Sequence, residues 1–207
     1  MTARDDLRRR AMANLQEHDV LMLDGHFDYG NGYHGRVYLN PHGLFRQPSL
    51  IWRLAQDAID ILPEPIVSAT EVVAGPVMGG ALFAHTLAGL LDSRRSLSHP
   101  PCSFAPLSLD QAGASLTLRA FYRRVVAGKR VLLADDVRNT GKTLERGLAA
   151  IAEAGGTVVA TVEICDRLEA IVDLGVPNFA LTEYPAPENH PADQCPMCRA
   201  GQPITTF

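Results

Sequence analysis

Lysine is almost missing from this chain. Of 19 basic residues only Lys129 and Lys142 are lysines, and arginine supplies the rest. Lysine-dependent chemistry therefore has two positions to choose from. Cysteine is scarce too: Cys102, Cys165, Cys195 and Cys198 are too few and too unevenly placed for a secreted disulfide framework, so they are read as reduced thiols. There is no excess of positive charge, the net charge being −4 and the pI near 5.9. Such a chain has no long-range field to gather nucleic acid. Any phosphate site in it must be local, built from backbone amides, a helix N-terminus or an ion bridge. No segment approaches the roughly 20 apolar residues of a membrane span, and no apolar run follows the basic N-terminal stretch to make a signal peptide. The expectation is a cytoplasmic protein with neither nucleic acid nor membrane as partner. No internal repeat or low-complexity segment is found.

What is present fits a single domain over 1–207, with 46% hydrophobic and 20% charged residues, enough for one buried core and a small appendage. Leu7, Ala11, Leu15 and Met22 recur at helical spacing, the pattern of a core-covering helix. Gly25 to Gly43 is rich in glycine, aromatic residues and histidine and reads as short strands and turns. Helical periodicity returns after Pro48 and stops at Pro63. A β-rich run then leads through a Gly-Pro-Val-Met-Gly-Gly turn into a helix from about residue 81. Residues 94–118, with Pro100-Pro101 and many small polar side chains, read as irregular chain and a mobile loop. Val131 to Ala134 reads as a buried strand, followed by two aspartates, a turn, a helix over about 143–154 and a capping Gly155-Gly156. A second buried strand over 157–164 completes β-α-β and implies a parallel sheet. Phe179 to Leu181 is a last short strand candidate.

The segment ADDVRNTGKTL carries the most chemistry. Asp135 and Asp136 sit at the end of a buried strand, and a loop of hydroxyl and glycine residues leads from them into a helix. Open parallel sheets bind ligands at the carboxyl ends of strands, and the unpaired amides of a helix N-terminus favour an anion. One site thus offers phosphate binding on one side and two hydroxyl-accepting carboxylates on the other, which a sugar phosphate satisfies. A capping turn explains one acidic residue, not two. A P-loop is excluded by spacing, because Gly141-Lys142-Thr143 would need glycine at position 136, where the chain has aspartate. A second turn, Gly75-Pro76-Val77-Met78-Gly79-Gly80, also lies between strand and helix, with amides placed to face an anion.

The stretch Asp-Asp-Val-x-x-Thr-Gly-x-Thr-Leu after an apolar strand resembles the 5-phosphoribosyl 1-pyrophosphate (PRPP) signature of type I phosphoribosyltransferases. The resemblance implies an α/β, Rossmann-like parallel sheet flanked by helices. A hood made by about 1–45 and 180–207 would cover a core of about 46–179. It implies that Asp135 and Asp136 hold the ribose hydroxyls and, through PRPP, a Mg²⁺ ion. Arg138, Asn139, Thr140, Gly141, Lys142 and Thr143 would wrap the 5-phosphate, and the turn with Gly75, Pro76, Gly79 and Gly80 would be the pyrophosphate loop. Leu23-Asp-Gly-His-Phe27, then Asn31-Gly-Tyr-His-Gly-Arg36 and Tyr38, are similar to the N-terminal part of the orotate-using branch. That likeness implies that His26, Phe27, Tyr33 and His34 help form a base pocket. Asp166-Arg167, Asp173 to Pro177 and Cys195 to Pro203 look like the tail of the same branch, with Arg167 at the base.

The implied activity is Mg²⁺-dependent transfer of ribose 5-phosphate from PRPP to orotate or a related nucleobase, by a homodimer in pyrimidine nucleotide biosynthesis. Three departures from the family pattern stand out. Asn139 replaces a usual Thr, Lys142 a small residue, and the Ser108–Arg119 stretch, where the family carries a loop lysine, has neither lysine nor histidine. Arg119 is its one cation and the candidate for the leaving pyrophosphate. The missing lysine motivates a second reading, a non-catalytic PRPP or nucleotide-binding regulator on the same fold. The altered Asn31–Gly35 turn motivates a third, transfer to a different base. Cys195 and Cys198 have zinc-knuckle spacing, with His190, Asp193 and Cys165 as candidates to complete the four ligands a structural zinc needs.

Overall fold

The computed structural model describes residues 3–18, 20–29, 32–95, 100–169, 172–185 and 189–206; Asn31, part of the turn singled out above, lies outside them. Helix α1 (Ala3–Glu17) is followed by four short strands, β1 (Leu21–Met22), β2 (Phe27–Asp28), β3 (Tyr33–Gly35) and β4 (Tyr38–Leu39). Helices α2 (His42–Phe45), α3 (Pro48–Ile61) and α4 (Glu64–Ala69) lead into β5 (Val72–Pro76) and α5 (Gly79–Arg94). Then come β6 (Ser103–Leu109), β7 (Leu116–Thr117), α6 (Ala120–Val126), β8 (Arg130–Arg138), α7 (Lys142–Glu153) and β9 (Thr157–Asp166). Strands β10 (Asn178–Glu183) and β11 (His190–Pro191) and helix α8 (Pro196–Arg199) complete the order.

Six strands form the central sheet in the order β10-β9-β8-β5-β6-β7, all parallel except β7. Strand β8 lies between β5 and β9 and alternates its side chains between two cores, as a period of two dictates. Leu132 and Ala134 face α1, α3 and α5. Val131 and Leu133 face the opposite side with Leu144 and Ile151 of α7. Helix α7 ends where expected: Gly155, at φ 80°, and Gly156 return their amides to Ala152 and Ile151, a Schellman stop.

Of residues 94–118, those described from 100 onward are not simply the irregular loop the sequence suggests. Ser103–Leu109 is a strand registered against Val72–Pro76, and it turns back through β7 as a hairpin. Pro106 disguised it, since proline argues against a strand. It is accommodated where β6 has β5 as its paired neighbour, before the β7 pairing begins at Ser108. The strand carrying the acidic pair also runs on to Arg138, because its ladder to β9 continues as far as Arg138↔Asp166.

The small subdomain is narrower than 1–45 plus 180–207. Ala11 and Leu15 of α1 are fully buried in the main core, and β10 belongs to the central sheet. What stands apart is the β2–β3 hairpin, bracketed by the C-terminal tail on both edges. Strand β11 pairs with β3, and Thr205 bridges to Phe27. No described helix is long and apolar enough to cross a membrane.

Candidate active site

The carboxyl ends of β5 and β8 bring together the two segments that the sequence separates by about 55 residues. The contact is close enough to require glycine. A Cβ on Gly79 would overlap the Asp136 carboxylate, and one on Gly80 would lie 2.6 Å from Asp135 Oδ1. Gly75 and Pro76 end β5 directly beneath this turn, and the Val77–Met78 peptide is cis. Asp135 is buried and accepts the Asp136 amide at 3.0 Å, while the half-buried Asp136 accepts the Val137 amide at 2.7 Å. Burial, and after it the Asp136 charge, push the Asp135 carboxyl well above the usual carboxylate range.

Beyond the pair, Asp135 and Val137 to Thr143 line a small hollow of about 90 Å³ at the start of α7. Gly141, at φ 88°, turns the chain into the helix, so the first-turn amides face that hollow, an arrangement suited to a phosphate. The Arg138 guanidinium braces the loop from behind: it is buried, donates to Val172 O at 3.1 Å and lies 3.8 Å from Asp166 Oδ2. Lys142 and Asn139 are exposed at the rim.

A wider cleft of about 790 Å³ opens from Asp136, Asn139, Thr140 and Lys142 toward the hood. Tyr33, Tyr38 and Arg167 line it, as does Tyr29, which the sequence reading passed over. Arg167 is nearly buried, lies 5.8 Å from the Tyr29 ring centroid and donates to Asn139 Oδ1 at 3.3 Å. Its Nη2 lies 3.3 Å from Glu169 Oε1. Burial pushes the Tyr29 hydroxyl up, and Arg167 pulls it partly back. Asn189, also on the lining, has a buried Oδ1 without a hydrogen-bond partner.

Three of the anticipated base-side residues are placed elsewhere. His26 and His34 are buried against Cys195 and Cys198 rather than lining the cleft. Phe27 is buried in the hood, its ring 5.8 Å from that of Tyr38. Arg119 is exposed just past β7, at the N-cap of α6, and is outside the cleft lining among the described residues. Glu163 was also unforeseen. It pairs in register with Asp135 across β8 and β9 and is fully buried. Its Oε1 accepts from Asn178 at 2.7 Å, and burial pushes its carboxyl up to about 8. A buried acid inside an otherwise apolar-looking strand gives no periodicity signal.

The phosphoribosyl transferase domain family matches residues 49–174, well over half of the chain. A relative from Erythrobacter litoralis described as an orotate phosphoribosyltransferase is 31% identical over 166 residues, covering 80% of each chain. In fold, the crystal structure of orotate phosphoribosyltransferase from Aeropyrum pernix superposes with a TM-score of 0.65 at 19% identity, over 84% of this chain and 92% of that one. An adenine phosphoribosyltransferase from Thermoanaerobacter pseudethanolicus gives 0.61 at 18% identity, over 82% and 99%. Motif, fold and relatedness agree, and the chain belongs to the phosphoribosyltransferase family of enzymes.

Proposed function

We propose that the protein transfers ribose 5-phosphate from PRPP to orotate, releasing pyrophosphate and forming the nucleoside monophosphate. The observation that carries this reading is the packing of the glycine turn onto the acidic pair, with the Thr140–Thr143 hollow beside them. Two anion cradles flank two hydroxyl acceptors. The hollow at α7 takes the 5-phosphate on its amides and on the hydroxyls of Thr140 and Thr143. Asp135 and Asp136 accept the ribose hydroxyls, and negative charge on the pair favours the cationic character that develops on the ribose ring as the C1–O bond to pyrophosphate breaks. The ring nitrogen of the base attacks C1 from the hood side of the cleft, where Arg167 supplies a cation for an anionic base.

The donor set suits Mg²⁺, because Asp135, Asp136 and the sugar hydroxyls offer hard oxygen alone. Bound with PRPP, Mg²⁺ supplies neutralisation of the departing pyrophosphate. Arg119 stands at the exposed N-cap of α6, two residues past β7, and in a homodimer it would serve the partner's cleft. It binds pyrophosphate as a bidentate cation but keeps its proton, so the leaving group departs without a general acid.

The test is pyrophosphate release by purified protein given PRPP, Mg²⁺ and a panel of orotate, uracil, adenine and hypoxanthine. Release with orotate at least tenfold above the others is expected. Faster release with another base overturns the choice of orotate, and PRPP binding without release from any base overturns transfer.

A further inference from the structure

Four side chains in the hood serve no part of the cleft and converge on one point. His26 precedes β2, His34 lies in β3, Cys195 caps α8 and Cys198 lies within it. Their ligand atoms all fall within 4.8 Å of one another. His26 Nε2 is 3.1 Å from His34 Nδ1, 3.5 Å from Cys195 Sγ and 3.6 Å from Cys198 Sγ, and Cys198 Sγ is 3.3 Å from His34 Nδ1. A tetrahedral ion with Zn–N of about 2.05 Å and Zn–S of about 2.3 Å demands edges of about 3.3 Å between nitrogens and about 3.6 Å between nitrogen and sulfur. These four separations fall within about 0.3 Å of those edges.

We infer that His26, His34, Cys195 and Cys198 form a structural Zn²⁺ site that clips the C-terminal tail to the N-terminal hairpin. His26 has the outer partner that a ligating imidazole needs, and His34 has a carboxylate nearby. His26 Nδ1 meets Gln202 O at 2.9 Å, which fixes the tautomer with the Nε2 lone pair facing inward, and His34 Nε2 faces Asp28 Oδ1 at 3.9 Å. Two thiolates and two neutral imidazoles balance the ion's charge, and this soft set selects zinc over magnesium. Four protein ligands leave no open position, so the site is structural rather than catalytic. Cys198 is exposed, which gives the ion a way in.

The ligands suggested by spacing alone lie elsewhere. Cys165 is buried in β9, and His190 and Asp193 are outside the constellation. The pair His26 and His34, about 160 residues from the cysteines, completes the set. The clip joins the hairpin that carries Tyr29 and Tyr33 to the tail that carries Asn189, so it sets the hood wall of the cleft. This inference stands whether or not the base is orotate.

The test uses the full chain, reduced, with metal content measured as purified and after chelation. About one zinc per chain is expected, and Co²⁺ added to the chelated protein should give thiolate-to-cobalt charge-transfer and tetrahedral ligand-field bands that one equivalent of Zn²⁺ abolishes. Cys198→Ser and His34→Asn should each weaken Co²⁺ binding by more than the roughly 100-fold that loss of an outer partner costs. Cys102→Ser, at a half-buried thiol outside the cluster, should leave the bands unchanged. Folded, reduced wild-type protein that shows no Co²⁺ bands overturns the site. So does a Cys195–Cys198 disulfide in protein purified without oxidant, or a Cys198→Ser variant that binds as wild type does.

Discussion

The side of the cleft proposed to take phosphate and the side proposed to take the base are held in different ways. Asp135 and Asp136 stand on β8, which is hydrogen-bonded to β5 and β9 and buried on both faces. Tyr29, Tyr33 and Tyr38 stand on or beside strands of two or three residues, which are too short to be stable by themselves. The hood therefore needs another tie, and the histidine–cysteine constellation supplies it between chain ends. The phosphate half is set by the same packing that makes the sheet. The base half depends on contacts between residues about 160 positions apart, and such long loops gain most from a clip.

Breaking the phosphate half should cost the most. Gly79→Val places a side chain into the Asp136 carboxylate, and kcat/KM should fall at least about 100-fold, or about 2.7 kcal/mol of transition-state stabilisation. The metal content of the hood should not change. Steady-state kinetics beside zinc analysis check both, and a loss of zinc in this variant would mean that the two halves are not independent.

A smaller effect is expected on the base side. Arg167→Leu removes the cation over Tyr29 and should raise the KM for orotate about tenfold, or about 1.4 kcal/mol, while leaving the KM for PRPP within about twofold. An equal rise for both substrates would place Arg167 in loop support through Asn139 rather than at the base.

A separate effect, on stability rather than on activity, lies beneath the acidic pair. Folded Glu163 keeps its proton up to about pH 8, whereas its ordinary value is 4.5, so between these values the native state binds more protons than the unfolded one. Stability from this group is therefore lost as pH rises through that window, by at most roughly 1.4 kcal/mol per pH unit. Glu163→Gln keeps the bond to Asn178 and should flatten the dependence between pH 5 and 8. Urea unfolding at a series of pH values reads this directly, and identical slopes for both proteins would show that Glu163 is ionised in the folded state.

Much of the phosphate half was legible in the sequence, and the reason is local. Strand, acidic pair, turn and helix follow one another within Val131 to Glu153, so burial period, caps and ligand groups fall in one window. The glycine turn was legible too, although its contact with the acidic pair was not, since parallel neighbours in a sheet are joined through long crossovers. Strand β6 was hidden by Pro106. The hood was readable only in composition. His26 and His34 sit among aromatic residues in turns and look equally suited to a pocket wall or to a metal. The tail decides between these, by pairing β11 with β3 and carrying Cys195 and Cys198 beneath it. Tyr29 reaches the cleft by the fold of the same hairpin, one residue past β2, where spacing gives no sign of direction.

The central claim is that Asp135 and Asp136 hold the ribose of PRPP. Calorimetric titration of PRPP with Mg²⁺ into wild-type protein and into the Asp135→Asn/Asp136→Asn double variant tests it most directly, since asparagine keeps the shape and removes the charge. Binding to the wild type with a loss of at least about 100-fold in the variant, or about 2.7 kcal/mol, is the expected result. Equal affinity in the two proteins, both folded, would contradict it.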